Sequence, residues 1–114
     1  MIKIIGKEIR INRGDRAAIR LKLKNGEFKK GDVIKFSIVD RRNYNIVFFQ
    51  NEYKVSKTGK YAYILLNEED TRFAKIDKKL FCKYEIEYNK CLTLIGADDD
   101  NENIIIIYAE AGDK

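Results

Sequence analysis

Asp98, Asp99, Asp100 and Glu102, with Asn101 among them, gather carboxylates into one short stretch near the end of the chain. Positions 98, 100 and 102 have a calcium-like spacing. The glycine and the later glutamate of an EF-hand loop are missing, so the stretch reads as a solvated hairpin tip and no metal is assigned. Arg13-Gly14-Asp15 has the form of an adhesion tripeptide. A glycine between polar residues just ahead of a strand is read instead as a bend, with Asp15 accepting hydrogen bonds from turn amides. Cys82 and Cys91 fall on adjacent expected strands. With a two-residue turn at Asn89-Lys90, Cys82 would sit opposite Ala97, several residues along the ladder from Cys91, and both thiols are expected free, buried and inert. Arg10, Arg13, Arg16, Arg20, Lys22 and Lys24 form a basic series, and Tyr44, Phe48 and Phe49 are rings that could stack on bases, as in an oligonucleotide-binding barrel.

The chain has no histidine. That removes the Ser-His-Asp triad, the imidazole base and every His-bearing zinc site, and two cysteines are too few for a four-thiolate site. No catalytic residue, cofactor or metal is therefore assigned, and the chain is read as a non-enzyme.

The elements that must position these residues follow a period of two. Ile19, Leu21 and Leu23 alternate with Arg20 and Lys22; Ile34, Phe36 and Ile38 fall together; Leu80, Cys82, Tyr84, Ile86 and Tyr88 alternate with Phe81, Lys83, Glu85 and Glu87. Such alternation marks strands with one wet face. Ile46–Phe49 and Ile104–Tyr108 do not alternate and read as strands covered on both faces or lying at an interface. Turn residues recur at Asn25-Gly26, Arg41–Asn45, Thr58-Gly59 and Asn89-Lys90. Asn67, followed by Glu68, Glu69 and Asp70, reads as the cap of one short helical turn. The expected fold is all-β: one domain over 1–114, a sandwich or small barrel of seven or eight short strands with that one helical turn.

With 114 residues, 45% of them hydrophobic, the chain is long enough for one core without staples. The net charge of +5 is unevenly placed: basic side chains dominate residues 1–60 and acidic ones the remainder. A basic flank and an acidic flank suit head-to-tail contact with copies or complementary neighbours. The acidic second half disfavours a polyanionic partner. The first residues lack signal-peptide architecture and no apolar run spans a membrane, so synthesis in the cytoplasm is expected.

Taken in order, Arg13-Gly14-Asp15, the strand through Ile19 and Leu21, Gly31-Asp32-Val33-Ile34-Lys35-Phe36-Ser37-Ile38, Gly59 with Ala62, Glu69-Asp70-Thr71, Tyr84–Tyr88 and Thr93-Leu94-Ile95-Gly96 resemble the immunoglobulin-like sandwich module of tailed-phage tail and upper-baseplate proteins from Gram-positive hosts. The resemblance covers residues 8–109. It departs where Ala97–Asn103 is inserted before Ile104–Tyr108, and where the sequence ends without a helical or fibre segment.

The resemblance implies a two-sheet antiparallel β-sandwich of immunoglobulin-like form, made in the bacterial cytoplasm, serving as a structural or accessory subunit of a phage or prophage tail or baseplate, or of a phage-derived contractile particle. Its partners would be other tail or baseplate proteins or copies of itself. A small nucleic-acid-binding β-barrel is the alternative. Ile19, Leu21, Phe36, Ile38, Tyr84, Ile86 and Leu94 are expected to hold the fold together. The expected interface residues are Arg41, Arg42, Asp98, Asp99, Asp100, Ile105 and Ile107.

Overall fold

The computed structural model describes residues 2–5, 8–22, 26–74, 77–89, 92–95 and 104–109. Among these are nine strands, β1 (Ile2–Ile5), β2 (Glu8–Asn12), β3 (Ala17–Lys22), β4 (Val33–Asp40), β5 (Val47–Lys54), β6 (Tyr61–Leu66), β7 (Leu80–Tyr88), β8 (Leu92–Ile95) and β9 (Ile104–Tyr108). The large sheet runs β1-β2-β9-β7-β4-β5, with β8 also on β7; the small sheet is β3-β6. The two sheets meet face to face as a β-sandwich. Ile19, Ile64 and Leu66 of the small sheet share one core with Ile9, Ile11, Ile34, Phe36, Ile38, Tyr84, Ile86, Ile105 and Ile107 of the large one.

The two-residue period is what builds these layers. Along β6 exposed and buried residues alternate strictly, and β7 buries Cys82, Tyr84 and Ile86. Leu21, expected in the core, is half-buried and packs against it. Leu94 lies in β8, and Leu23, Lys24, Asn25, Lys90, Cys91 and residues 96–103 lie outside the described residues.

Three expectations are corrected. One pairing is parallel rather than antiparallel: β2 runs alongside β9, with Ile9 opposite Ile105 and Ile11 opposite Ile107. The stretch after Asn67 contains no helix. It is a run of reverse turns, Asp70 N–H to Asn67 O, Arg72 N–H to Glu69 O and Ala74 N–H to Thr71 O, each close to 3.1 Å. Asn67 is not its cap: the Asn67 N–H donates to the Asp70 carboxylate at 2.7 Å. Finally, Tyr88 faces Leu92, and Cys82 faces Ile105 of β9, so the register beyond β7 differs from that of a two-residue turn.

Both non-alternating runs have physical explanations. In β9, Ile105 and Ile107 face the core, while Ile106 on the other face lies between Arg10 and Phe81 and is also buried. The strand is central, with neighbours on both sides. In β5 the ladder skips a residue: Ile38 pairs Phe49 and Val39 pairs Val47. Phe48 is the bulged residue, and its ring stacks on Phe73 with centroids 5.1 Å apart.

Arg13-Gly14-Asp15 is the bend expected. Gly14 has φ 84°, where side chains with a Cβ are strained. Its N–H donates to Thr71 Oγ1 at 2.9 Å, and Arg13 Nε donates to the Ala74 carbonyl at 2.8 Å. The tripeptide therefore anchors the reverse turns at 67–74.

A second anchor lies at the start of β4. The Asp32 carboxylate accepts from the Lys29 N–H at 2.8 Å and from the Tyr88 hydroxyl. The Tyr88 hydrogen bond, then the Lys29 amide, hold Asp32 below the usual carboxylate range; the same bond to Asp32 pushes Tyr88 up to about 12. A depressed carboxylate stabilises the fold above its unfolded value, about 3.9, and that contribution is lost as pH falls through the folded value. The raised tyrosine contributes below its ordinary value of about 10 and is lost as pH rises through its folded one. A Tyr88→Phe variant keeps the edge-on ring contact with Phe28 at 5.6 Å. Thermal melts across pH should show its deficit against the parent protein largest at neutral pH and shrinking in acid as Asp32 is protonated.

Candidate interaction face

The outward side of the large sheet holds the most concentrated group of exposed apolar side chains near cations. Its position is set by the β4–β5 turn. Asp40 ends β4, and its carboxylate accepts the N–H groups of Arg42 at 2.7 Å and Asn43 at 3.1 Å. The turn closes with Asp40 N–H on Ile46 O at 2.9 Å. An aspartate holding two amides ahead of it fixes such a turn, because the short side chain substitutes for a backbone acceptor. The turn then carries Arg41 and Tyr44 back over β7.

There Arg41 Cζ stands 5.8 Å from the Phe81 ring centroid, and Lys83 Nζ 5.7 Å from that of Tyr44. Lys79 Nζ lies between two rings, 5.3 Å from Phe81 and 5.7 Å from Tyr108. Tyr44, Ile46, Val47 and Phe81 are exposed, at 41, 46, 48 and 39%. Beneath them Val39, paired with both Val47 and Lys83, is fully buried. The β-strand pleat brings Val47, Val39, Lys83 and Phe81 onto one side of three adjacent strands. The face also has two electrostatic ends. Arg41, Lys79 and Lys83 mark one, and Glu52, Glu85 and Glu87 the other, where Lys35 bridges to Glu87 at 3.2 Å. Around the corner, Phe48, Phe73, Ala74, Lys78, Lys79 and Leu80 line a shallow depression of about 350 Å³.

Cations above exposed rings contribute about 0.5–1 kcal/mol each in water and more once a partner excludes solvent. The arrangement suits a protein surface that presents carboxylates around an apolar centre, with the rings as anchors and the cations as the rim.

The expected site residues are distributed differently from what was anticipated. Arg41 and Arg42 are exposed on the β4–β5 turn, and Arg41 belongs to the ring-and-cation face. Ile105 and Ile107 are both 0% exposed and face the core, so they cannot meet a partner; this corrects their assignment as interface residues. Asp98, Asp99 and Asp100 lie outside the described residues.

Tyr44, Lys79, Phe81 and Lys83 were not expected at a protein interface, while Ile46 and Val47 belong to the run read as covered on both faces or lying at an interface. One signal for them was present in the sequence: Phe81 is the large ring on the otherwise charged side of the cleanest alternating strand.

The basic series is dispersed. Arg10 pairs with Glu8 at 2.6 Å, Arg13 bonds main-chain carbonyls, Arg16 pairs with Glu68 at 2.5 Å, and Arg20 lies over Tyr61 at 4.6 Å. Phe49 packs on Phe36 in the core and Phe48 on Phe73, so neither ring is presented for stacking with Tyr44.

Cys82 is 0% exposed, and burial, followed by the Asp40 carboxylate, pushes its thiol up to about 12. A buried thiol that stays protonated is inert. In a Cys91→Ser variant, a thiol-reactive disulfide reagent at pH 8 should label nothing until the protein is unfolded, and one thiol per chain afterwards.

Compared with family models, curated proteins and solved structures, the chain matches none.

Proposed function

We propose that the chain is a non-enzymatic structural or accessory subunit that works by protein–protein contact through the outward face of its large sheet. The particle is of the phage or prophage tail or baseplate class that its motif order resembles. The observation that carries the contact reading is the exposed group of Tyr44, Ile46, Val47 and Phe81 with Arg41, Lys79 and Lys83 placed over its rings. An exposed apolar group rimmed by charge, on a rigid sheet, is what a docking surface requires.

The immunoglobulin-like form is part of the same proposal. It is supported by strand order. β4, β7 and β9 adjoin one another with β5 beyond β4, as strands C, F, G and C′ do in variable-type sandwiches; β3 and β6 pair as B and E do. The nucleic-acid alternative draws less support, because Arg10, Arg13, Arg16 and Arg20 are engaged within the fold and Phe48 and Phe49 are packed against other rings.

The test is co-expression of the tagged chain with the tail and baseplate proteins encoded in the same genome. The proposal expects a stoichiometric complex with at least one of them, lost when Phe81 is replaced by Glu. Absence of any complex, or a complex indifferent to Phe81→Glu, would overturn it.

A further inference from the structure

β6 reads Tyr-Ala-Tyr-Ile-Leu-Leu, without a charge or a proline. Among the described residues it is hydrogen-bonded to β3 alone, so its other edge carries open main-chain donors and acceptors. Proteins normally guard such edges with charges, prolines or bulges, because an open edge is a template for another strand. Two other outer strands carry charges: β3 has Arg20 and Lys22, and β5 has Glu52 and Lys54. On the outward side of β6, Tyr61, Tyr63 and Leu65 are 40, 52 and 56% exposed. A groove of about 550 Å³, lined by β6 and by residues 53–60, runs along it.

The charges on either side of β6 are opposite in sign. Lys57 and Lys60 precede it; Glu68, Glu69 and Asp70 follow it. In an antiparallel pairing of two identical strands the beginning of one lies against the end of the other. An antiparallel contact between two copies therefore sets lysines against carboxylates at both ends, while a parallel one sets like against like.

We propose that the open edge of β6 pairs antiparallel with the same edge of a second copy of the chain, joining the two small sheets into one four-stranded sheet across a two-fold axis. Directly opposed residues of an antiparallel pair point to the same side of the sheet, and this limits the register. With Tyr63 on the axis, Tyr61 opposes Leu65 of the second copy and Ala62 opposes Ile64, and the lysines before one strand come to the end of the other, where the carboxylates of 68–70 follow. The exposed side chains meet each other and the core sides stay continuous. The contact is isologous and closes at two copies. It lies on the small sheet and does not use the ring-and-cation face of the large one.

Sedimentation velocity of the full chain over a range of concentrations tests this. The parent protein is expected to show a monomer–dimer equilibrium that weakens with salt. Tyr63→Lys, at a half-exposed position, is expected to stay monomeric where the parent is mostly dimeric, with unchanged circular dichroism and melting. Lys57→Glu with Lys60→Glu is expected to weaken the dimer about tenfold, and adding Glu69→Lys to recover part of that loss, since the two charge groups meet only across the contact. Phe81→Glu is expected to leave the dimer intact. A parent protein that is monomeric at every concentration would overturn the proposal. So would a dimer indifferent to Tyr63→Lys, or one dissociated by Phe81→Glu.

Discussion

Replacing Phe36 by Ala is expected to cost about 3–5 kcal/mol of stability, the range for removing a buried aromatic side chain and leaving a cavity. Phe36 is 0% exposed on β4, between β5 and β7. Its ring lies 5.8 Å from that of Tyr84 and 6.4 Å from that of Phe49. Tyr84 and Phe49 sit on opposite neighbouring strands, so the rings fix the spacing of three strands at once. Neighbours held in ladders on both sides cannot collapse into the space. A domain of this size has about 5–15 kcal/mol in all, so the variant should melt about 10–20 °C lower. Chemical denaturation should show the same loss as a lower midpoint with little change in slope. A variant melting within a few degrees of the parent would mean that the two sheets are not held together at this point.

The second large effect is on binding and should leave stability almost untouched. Arg41→Glu with Arg42→Glu reverses the charge of the β4–β5 turn. The turn itself is held by main-chain N–H groups of Arg42 and Asn43 on Asp40, which the substitutions do not remove. Exposed substitutions away from the core usually stay within about 0.5 kcal/mol. Phe81→Ala removes the ring beneath Arg41 and Lys79. If that ring is a central anchor, its loss should cost about 2 kcal/mol of binding, or roughly a thirtyfold weaker complex. The charge reversal should act mainly on association rate and on salt dependence, since rim charges steer encounter. Binding measured at two ionic strengths separates the two effects. Equal affinity for the parent and both variants would place the contact elsewhere.

The architecture was legible in the sequence wherever one side of a strand is wet. In β7 the alternation alone assigns each side chain to core or solvent, and the structure places Cys82, Tyr84 and Ile86 where it predicts. The interface assignment of Ile105 and Ile107 failed for a physical reason. A strand covered on both faces by its own domain has the same apolar run as one covered by a partner. Only the pairing of β9 between β2 and β7 distinguishes the two. The same ambiguity hid the bulge at Phe48, because one inserted residue breaks the period without changing composition.

The short helix after Asn67 was expected from acidic residues following a good cap. Local preference was overridden by tertiary contacts, as the Thr71 hydroxyl and the Ala74 carbonyl are both engaged by the bend at Arg13 and Gly14. Much of the ring-and-cation face was illegible because it is assembled from residues far apart in sequence. Arg41 and Tyr44 reach Phe81 and Lys83 only through the pairing of β4 with β7. The local clues were a phenylalanine among charged neighbours and the non-alternating run that begins at Ile46.

The most direct test of a contact-making role is hydroxyl-radical footprinting of the chain alone and within the assembled particle. Tyr44 and Phe81, open in the isolated protein, are predicted to lose most of their reactivity on assembly, while buried Tyr84 stays unreactive in both states. Equal labelling of Tyr44 and Phe81 in the two states would contradict the account.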